Sequence, residues 1–135
     1  TFTYPPNLYI LGTMNTSDRS IANLDLAVRR RFAFVTLRPD LKVVADQGLA
    51  VAEQAFRALQ DVFVEYAPDE ALDLLPGHSY FLAATEAELK QRFQYELLPL
   101  LDEYLREGLV GSFAAELQAV RDQIEGVIDH GRWVD

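Results

Sequence analysis

Apolar and polar positions alternate in two different ways along the chain, and the change comes near residue 39. Before it, two apolar runs, NLYILGTM (residues 7–14) and FAFVTLRP (residues 32–39), flank a polar loop and a short helical repeat. Nearly continuous apolar runs of this length are typical of strands buried on both faces of a parallel sheet. The predicted order is strand, polar loop, short helix and strand, one βαβ-like unit of a layered α/β sheet.

The short helix between these strands ends in three consecutive arginines, which suit the negative end of the helix dipole. Asp18 or Ser20 is placed to cap its amino-terminal end. Its apolar positions recur at helical spacing: Ile21, Leu24 and Val28.

After Pro39 the helical period dominates. One predicted helix has an apolar stripe and ends before Pro68. The stripe consists of Ala52, Phe56, Leu59, Phe63 and Tyr66. Next, LLPGHSYFLAA predicts a turn that leads into a short extended segment. Thr85 and Glu88 then form a capping box for a helix that Gly108 is placed to end, and Pro99 inside it predicts a kink or break.

A last helix is predicted after Ser112, which can cap it. Its apolar face consists of Phe113, Leu117, Val120, Ile124 and Val127. The patterns therefore predict two parts: residues 1–39, from an α/β core, and residues 40–135, a mainly α-helical domain. Because two apolar strands do not make a stable doubly covered sheet, we expect this sequence to be the carboxyl-terminal part of something longer.

Composition narrows the classes of function. The 135 residues include no cysteine, which excludes disulfides and thiolate chemistry and fits a cytoplasmic protein. No run approaches the roughly 18 apolar residues of a membrane span, and no signal peptide opens the chain. The two histidines, His78 and His130, have no clustered partners at metal-ligand spacing, so no metal held by this chain alone is expected.

The net charge of −9 disfavours direct, non-specific DNA binding, because proteins that grip phosphate backbones are normally basic. Positive charge is nevertheless concentrated at Arg29, Arg30 and Arg31, with Arg19 nearby. Such a cluster in an acidic chain indicates a local anion as its target.

Three motifs in order resemble the McrB family, the GTP-hydrolysing AAA+ subunits of modified-cytosine-dependent restriction systems. They are GTMNTSDRS followed by IANLDLAVRRRF (within residues 7–39), GHSYF (residues 77–81) and LLPLLDEYL (residues 97–105). The resemblance implies that the polar loop carries the first sensor of an AAA+ module. It also implies that the arginines reach the nucleotide of a neighbouring subunit and that the later helices form the lid.

Asn15 is the candidate sensor. A neutral amide at the end of a buried strand can orient a water or touch a γ-phosphate without adding repelling charge. The alternative is that Asn15 and Asp18 only build a turn and cap a helix. The NTSD pattern resembles the NTxD signature of the family, in which Asp18 would organise the loop and favour guanine. Arg19, beside this loop, is a candidate for an intersubunit contact.

Arg30 and Arg31 are the candidate arginine fingers, since the RRF ending of the family matches there. Three successive arginines cannot all point one way, because neighbours on a helix diverge by about 100°. Arg29 is therefore assigned to covering the surface or pairing with an acid. The structural alternative for the whole arginine cluster is a solvated helix end or a salt bridge between subunits.

His78 in GHSYF is a candidate contact to the nucleotide or to the core domain, and a hydrogen bond within a turn is the competing interpretation. AAA+ lids often carry a second-sensor arginine, and no clear equivalent precedes GHSYF in this sequence. The resemblance therefore implies a lid without defining how that lid would sense nucleotide.

No GxxxxGK[ST] phosphate loop occurs in the chain, and neither predicted strand ends in an Asp-Glu pair that would hold Mg²⁺. We therefore expect the chain to be inactive alone. The parent protein is expected to form a homo-oligomeric ring that hydrolyses GTP, or ATP, with Mg²⁺ and drives a McrC-like nuclease subunit. DNA would be bound through other domains, and no membrane is involved.

Two alternatives stay open. The first is an ATP-dependent AAA+ remodeller, MoxR- or dynein-like, that works without a nuclease. The second is a non-enzymatic helical interaction domain whose arginines bind an acidic partner.

Overall fold

The computed structural model describes residues 3–14 and 26–134. It divides the chain into two compact units, Thr1–Val35 and Thr36–Asp135. Each unit is considered separately below.

The described residues of the first unit form one short helix, α1 (Leu26–Arg31), and segments before and after it that are neither helix nor strand. The prediction of a short helix ending in arginines is confirmed for these residues. Residues 8–14 and 33–39, which include most of both predicted strands, are neither helix nor strand. The predicted sheet is therefore not confirmed.

The missing strands have a physical reason. Tyr9 and Leu11 are 92% and 96% exposed, and Leu37 is 90% exposed, so the described residues leave these apolar side chains almost uncovered. A strand also needs a neighbour to accept and donate its ladder of hydrogen bonds. The apolar sequence thus has the composition of a buried strand without the partners that would make it one.

The second unit is helical, as predicted. Its α-helices are α2 (Leu41–Asp46), α3 (Ala50–Tyr66), α4 (Glu86–Arg92), α5 (Leu98–Arg106) and α6 (Ala114–His130). Three 3₁₀ turns, Asp69–Leu74, His78–Phe81 and Gly111–Phe113, connect them, and a π-helical segment, Phe93–Leu97, joins α4 to α5. The helix α2 was not predicted, and GHSYF forms a 3₁₀ turn where an extended segment was expected.

The predicted apolar stripes of α3 and α6 face one shared core. Four of the five stripe residues of α3 are fully buried, and Tyr66 at its end is exposed. Aromatic rings connect the elements: the rings of Phe56 and Phe81 lie edge to face with centroids 5.1 Å apart, and those of Phe63 and Phe113 at 5.2 Å. Edge-to-face geometry at this spacing is favourable for aromatic pairs. Long-range packing of α3 against α6 therefore holds the domain together.

The capping box before α4 is confirmed. The Glu88 amide donates to Thr85 Oγ1 at 3.2 Å, and the Ala84 amide donates to Glu88 Oε2 at 2.8 Å. The predicted kink at Pro99 takes the form of the π-helical segment Phe93–Leu97, which precedes it. Proline has no N–H to donate and crowds the preceding turn, so a widened turn at this place accommodates it.

The end of α5 depends on Gly108, as predicted. Gly108 has φ +68°, its amide donates to the Leu105 carbonyl at 3.4 Å, and the Leu109 amide donates to the Tyr104 carbonyl at 3.1 Å. This is the Schellman pattern, in which a left-handed residue closes the helix. In contrast, α6 begins after the turn Gly111–Phe113 without a side-chain cap, so the predicted cap at Ser112 is wrong.

Gly108→Ala is expected to lower the free energy of unfolding by about 1 kcal/mol, because alanine pays for the left-handed conformation. No atom lies within 4 Å of the added methyl group, so the effect is conformational only. Gly126→Ala, in the interior of α6 and also in open space, is the matched control and should stabilise by about 0.5–1 kcal/mol. Urea unfolding of the two variants measures both signs. Equal effects at both glycines would contradict the assigned backbone.

Candidate functional site

The arginine cluster occupies the carboxyl-terminal end of α1. Arg29, Arg30 and Arg31 form its last turn, and all three are exposed. Positive charge is favourable there because the last carbonyls of a helix carry partial negative charge. Among the residues that the structure describes, no carboxylate forms an ion pair with any of the three. No described carboxylate therefore competes for these guanidinium groups.

The sensor loop cannot be assessed in the same way. Asn15, Asp18 and Arg19 lie outside the described residues. The predictions made for them stay predictions.

His78 opens the 3₁₀ turn His78–Phe81 in the helical unit. The residue is partly exposed, but its Nδ1 atom is buried and has no hydrogen-bond partner. A neutral imidazole has one donor and one acceptor nitrogen, and buried polar atoms are nearly always paired. The competing interpretation, a hydrogen bond of this nitrogen within the turn, is therefore not what the described residues make. An unpaired buried nitrogen is a feature that needs an explanation.

Two side chains from other elements hold the His78 turn. Gln47, at the end of α2, donates from Nε2 to the Phe81 carbonyl at 2.6 Å and accepts at Oε1 from the Ala83 amide at 3.0 Å. Arg92, at the end of α4, donates from Nη1 to the Ser79 carbonyl at 2.9 Å. Sequence reasoning missed Gln47 and Arg92. Both contacts join residues distant in sequence, and no local pattern signals them.

Tyr104 of α5 lies near Tyr80 of this turn. Burial raises the pKa of Tyr104 to about 12, and the nearby Tyr80 and Glu103 act in the same direction. The Tyr104 phenol is therefore neutral across the physiological range. A neutral, half-buried phenol beside Tyr80 adds no negative charge close to the turn.

The helical unit is otherwise strongly acidic over one long stretch. Residues 58–89 contain no lysine or arginine but seven carboxylates: Asp61, Glu65, Asp69, Glu70, Asp73, Glu86 and Glu88. Such a surface repels the phosphates of nucleic acid at long range. Residues 58–89 thus offer no lysine or arginine to DNA phosphates.

The most elaborate ion-pair group joins α5 to α6 and has a structural role. Arg121 donates from Nε to Asp102 Oδ1 at 2.7 Å and from Nη2 to Asp102 Oδ2 at 3.3 Å, and it also contacts Asp122 and Glu125. The hydrogen bond to Asp102 raises the pKa of Arg121, and nearby negative charge adds to this despite partial burial. Because the Arg121 guanidinium already binds these carboxylates of its own domain, it is not free to bind a ligand.

The described residues contain no group of three or more His, Asp or Glu placed to hold a metal ion. None of the described helices combines the length and the apolar character that crossing a membrane requires.

Comparison with known proteins gives two matches. Residues 67–109 match the family model described as McrB, alpha-helical lid domain. The chain is also 31% identical to the Type IV methyl-directed restriction enzyme EcoKMcrB subunit of Escherichia coli strain K12, over 76% of this chain. The chain spans only 26% of the length of that relative. No solved structure matches the chain.

The range matched by the lid model fits the helical unit. It begins at the residue after α3, ends just beyond Gly108, and contains His78 and Arg92 but not Gln47. The turn that bears His78, the helix α4, the π-helical segment and α5 are therefore all lid elements.

Proposed function

We propose that this chain, which contains an McrB-like lid, is part of an AAA+ nucleoside triphosphatase that prefers GTP. In this proposal the enzyme powers a nuclease that acts on modified DNA. The match of residues 67–109 to the McrB lid, together with the identity to a restriction subunit, is the observation that carries this proposal. In this proposal residues 1–39 belong to the α/β core and residues 40–135 form the lid. The exposed apolar segments of the first unit then pair with sheet strands outside this chain.

The chain supplies parts of two catalytic sites. Asn15 would act in its own subunit, where a neutral amide orients the attacking water near the γ-phosphate. Asp18 would organise the loop that follows, and Arg19 would contact the neighbouring subunit. Arg30 and Arg31 would reach the nucleotide of that neighbour, where a permanently charged planar group stabilises charge on the transferred phosphoryl.

The reaction also needs Mg²⁺, which neutralises charge on the β- and γ-phosphates. The described residues contain no group of three or more His, Asp or Glu placed to hold it, the sequence lacks a phosphate loop, and neither apolar segment of residues 1–39 ends in an Asp-Glu pair. The metal would therefore be held by segments other than this chain. The chain alone is expected to hydrolyse nothing.

Assembly follows from the same division. Because each site would take residues from two subunits, the protein must form a closed homo-oligomer, and a ring is the form that leaves no site incomplete. A McrC-like nuclease subunit is the proposed partner. The acidic lid makes direct DNA contact by this chain unfavourable, so DNA recognition is assigned to other domains.

Steady-state hydrolysis of GTP and ATP by the full-length protein, with and without Mg²⁺, tests the proposal. We expect Mg²⁺-dependent turnover with GTP well above ATP, and none by the 135-residue chain alone. A preference for ATP would instead favour an AAA+ remodeller. The absence of any nucleotide turnover or binding by the full-length protein would favour a non-enzymatic interaction domain and overturn the proposal.

A further inference from the structure

The 3₁₀ turn His78–Phe81 is stabilised by side chains from other elements in addition to its own backbone hydrogen bonds. Within the turn, the Tyr80 amide donates to the Gly77 carbonyl at 3.2 Å and the Leu82 amide to the Ser79 carbonyl at 3.3 Å. Such 3₁₀ bonds have poor geometry, and single turns of this kind are weak alone. Three further hydrogen bonds from Gln47 and Arg92 reach the same four residues and the segment that follows.

Gln47 uses both ends of its amide. Its nitrogen donates to the Phe81 carbonyl and its oxygen accepts from the Ala83 amide, as a neighbouring strand would do. A glutamate has the same size and can still accept from Ala83, but it cannot donate to Phe81. Gln47→Glu therefore removes one specific bond without leaving a cavity.

Arg92 holds the middle of the turn. Its Nη1 donates to the Ser79 carbonyl at 2.9 Å, while its Nε lies 3.5 Å from Glu96 Oε2 on the same continuous helix. The planar guanidinium can satisfy both partners at once because its donors have a fixed fork geometry. The carbonyl that it anchors belongs to the residue directly after His78.

The anchored turn begins at His78, a side chain with an unpaired ring nitrogen. His78 Nδ1 is buried without a hydrogen-bond partner, although the residue is partly exposed. Fixing the turn that begins at a histidine from two sides, while one imidazole nitrogen stays unpaired, is the arrangement expected of a preorganised ligand contact.

We infer that Gln47 and Arg92 are positioning residues that hold the His78 turn so that the imidazole meets the nucleotide phosphates in the assembled enzyme. This inference rests on the proposed function. It adds two residues outside the motifs of the resemblance, and it assigns to His78 a contact with a nucleoside triphosphate. The unsatisfied Nδ1 atom and the anchored carbonyls single out His78 within residues 58–89, a stretch that contains no lysine or arginine to bind an anion.

Nucleotide turnover by variants of the full-length protein tests the inference. His78→Ala, Gln47→Glu and Arg92→Ala are each expected to lower kcat/KM for GTP about 10-fold, since a misplacement of 1 Å costs up to about 100-fold. The matched controls change the same residue types elsewhere: His130→Ala, Gln118→Glu and Arg57→Ala. Gln118 and Arg57 make exposed contacts within their own helices, so these controls should stay within about twofold.

Double variants separate positioning from general stability. If Gln47 and Arg92 act through His78, then combining either change with His78→Ala should add less than about twofold to the loss from His78→Ala alone. Losses that multiply would overturn the inference. Arg92→Lys, which keeps a donor but not the fork, should recover part of the activity, and unchanged melting temperatures would confirm that the variants are folded.

The remaining outcomes are decisive as well. Normal turnover in Gln47→Glu and Arg92→Ala, beside an active wild type, would overturn this inference and leave the proposed function intact. A wild-type protein that neither binds nor hydrolyses nucleotide would overturn both.

Discussion

Arg31→Ala in the full-length protein is expected to lower steady-state GTP turnover by about 10³-fold or more, the range found for loss of an arginine finger. The physical reason is that charge develops on the transferred phosphoryl group, and a guanidinium fixed beside it stabilises that charge in a site with little water. Nucleotide binding by the variant should change much less than turnover, because the effect is confined to the transition state.

The position of Arg31 makes this assignment specific. It is the last residue of α1, it is exposed, and no described carboxylate pairs with it. Arg29 lies two positions earlier, about 200° around the helix, and cannot reach the same target. Arg29→Ala is therefore the matched control and should keep most of the activity. Arg31→Lys should stay impaired, since lysine keeps the charge but loses the planar fork.

Mixing of subunits tests whether the arginine acts across an interface. Arg31→Ala subunits, combined with subunits defective in their own phosphate loop, should recover part of the activity because intact arginines then meet intact nucleotide sites. Failure to recover, with both variants assembled, would place the arginine in the site of its own subunit. Equal loss in Arg29→Ala and Arg31→Ala would mean that the cluster has a structural or electrostatic role only.

The helical unit could be predicted from sequence because its signals are local. The stripes of α3 and α6, the capping box at Thr85 and the helix end at Gly108 each lie within a few turns of chain, where spacing alone decides the outcome. The apolar segments at residues 7–14 and 32–39 carry an equally clear pattern. Strand formation depends on neighbours, however, and the described residues offer none.

The residues of the candidate site likewise fall into two groups, those that sequence motifs indicate and those that only the structure reveals. His78 and the arginines stand out because they belong to short motifs, and the structure describes the last turn of the arginine helix as predicted. Gln47 and Arg92 could not be found from sequence, because Gln47 reaches Phe81 across 34 positions and Arg92 reaches Ser79 across 13. Those contacts depend on the packing of α2 and α4 around one turn, which no periodicity encodes. The proposed positioning residues were thus hidden in the sequence, while the proposed ligand contacts were visible in its motifs.

Phe81→Ala is expected to destabilise the helical unit by about 3–5 kcal/mol, the range for truncating a fully buried phenylalanine. Phe81 is 0% exposed, and its ring lies edge to face with Phe56 at 5.1 Å and with Phe93 at 5.9 Å. The change therefore removes both the buried area and two aromatic contacts, each worth about 0.5–1.5 kcal/mol beyond area. Urea unfolding of the chain, followed through Trp133, its single tryptophan, measures the effect.

Two variants show whether the loss comes from this packing. Tyr95→Ala removes an aromatic ring of the adjoining π-helical segment that is 71% exposed, and it should cost less than about 0.5 kcal/mol. Phe81→Leu keeps much of the volume and should recover a large part of the loss. Because Phe81 is also the residue whose carbonyl Gln47 anchors, its ring fixes the end of the His78 turn from inside the core. A Phe81→Ala protein as stable as the wild type would mean that this turn is not seated between α3 and the π-helical segment, and the positioning of His78 would lose its structural basis.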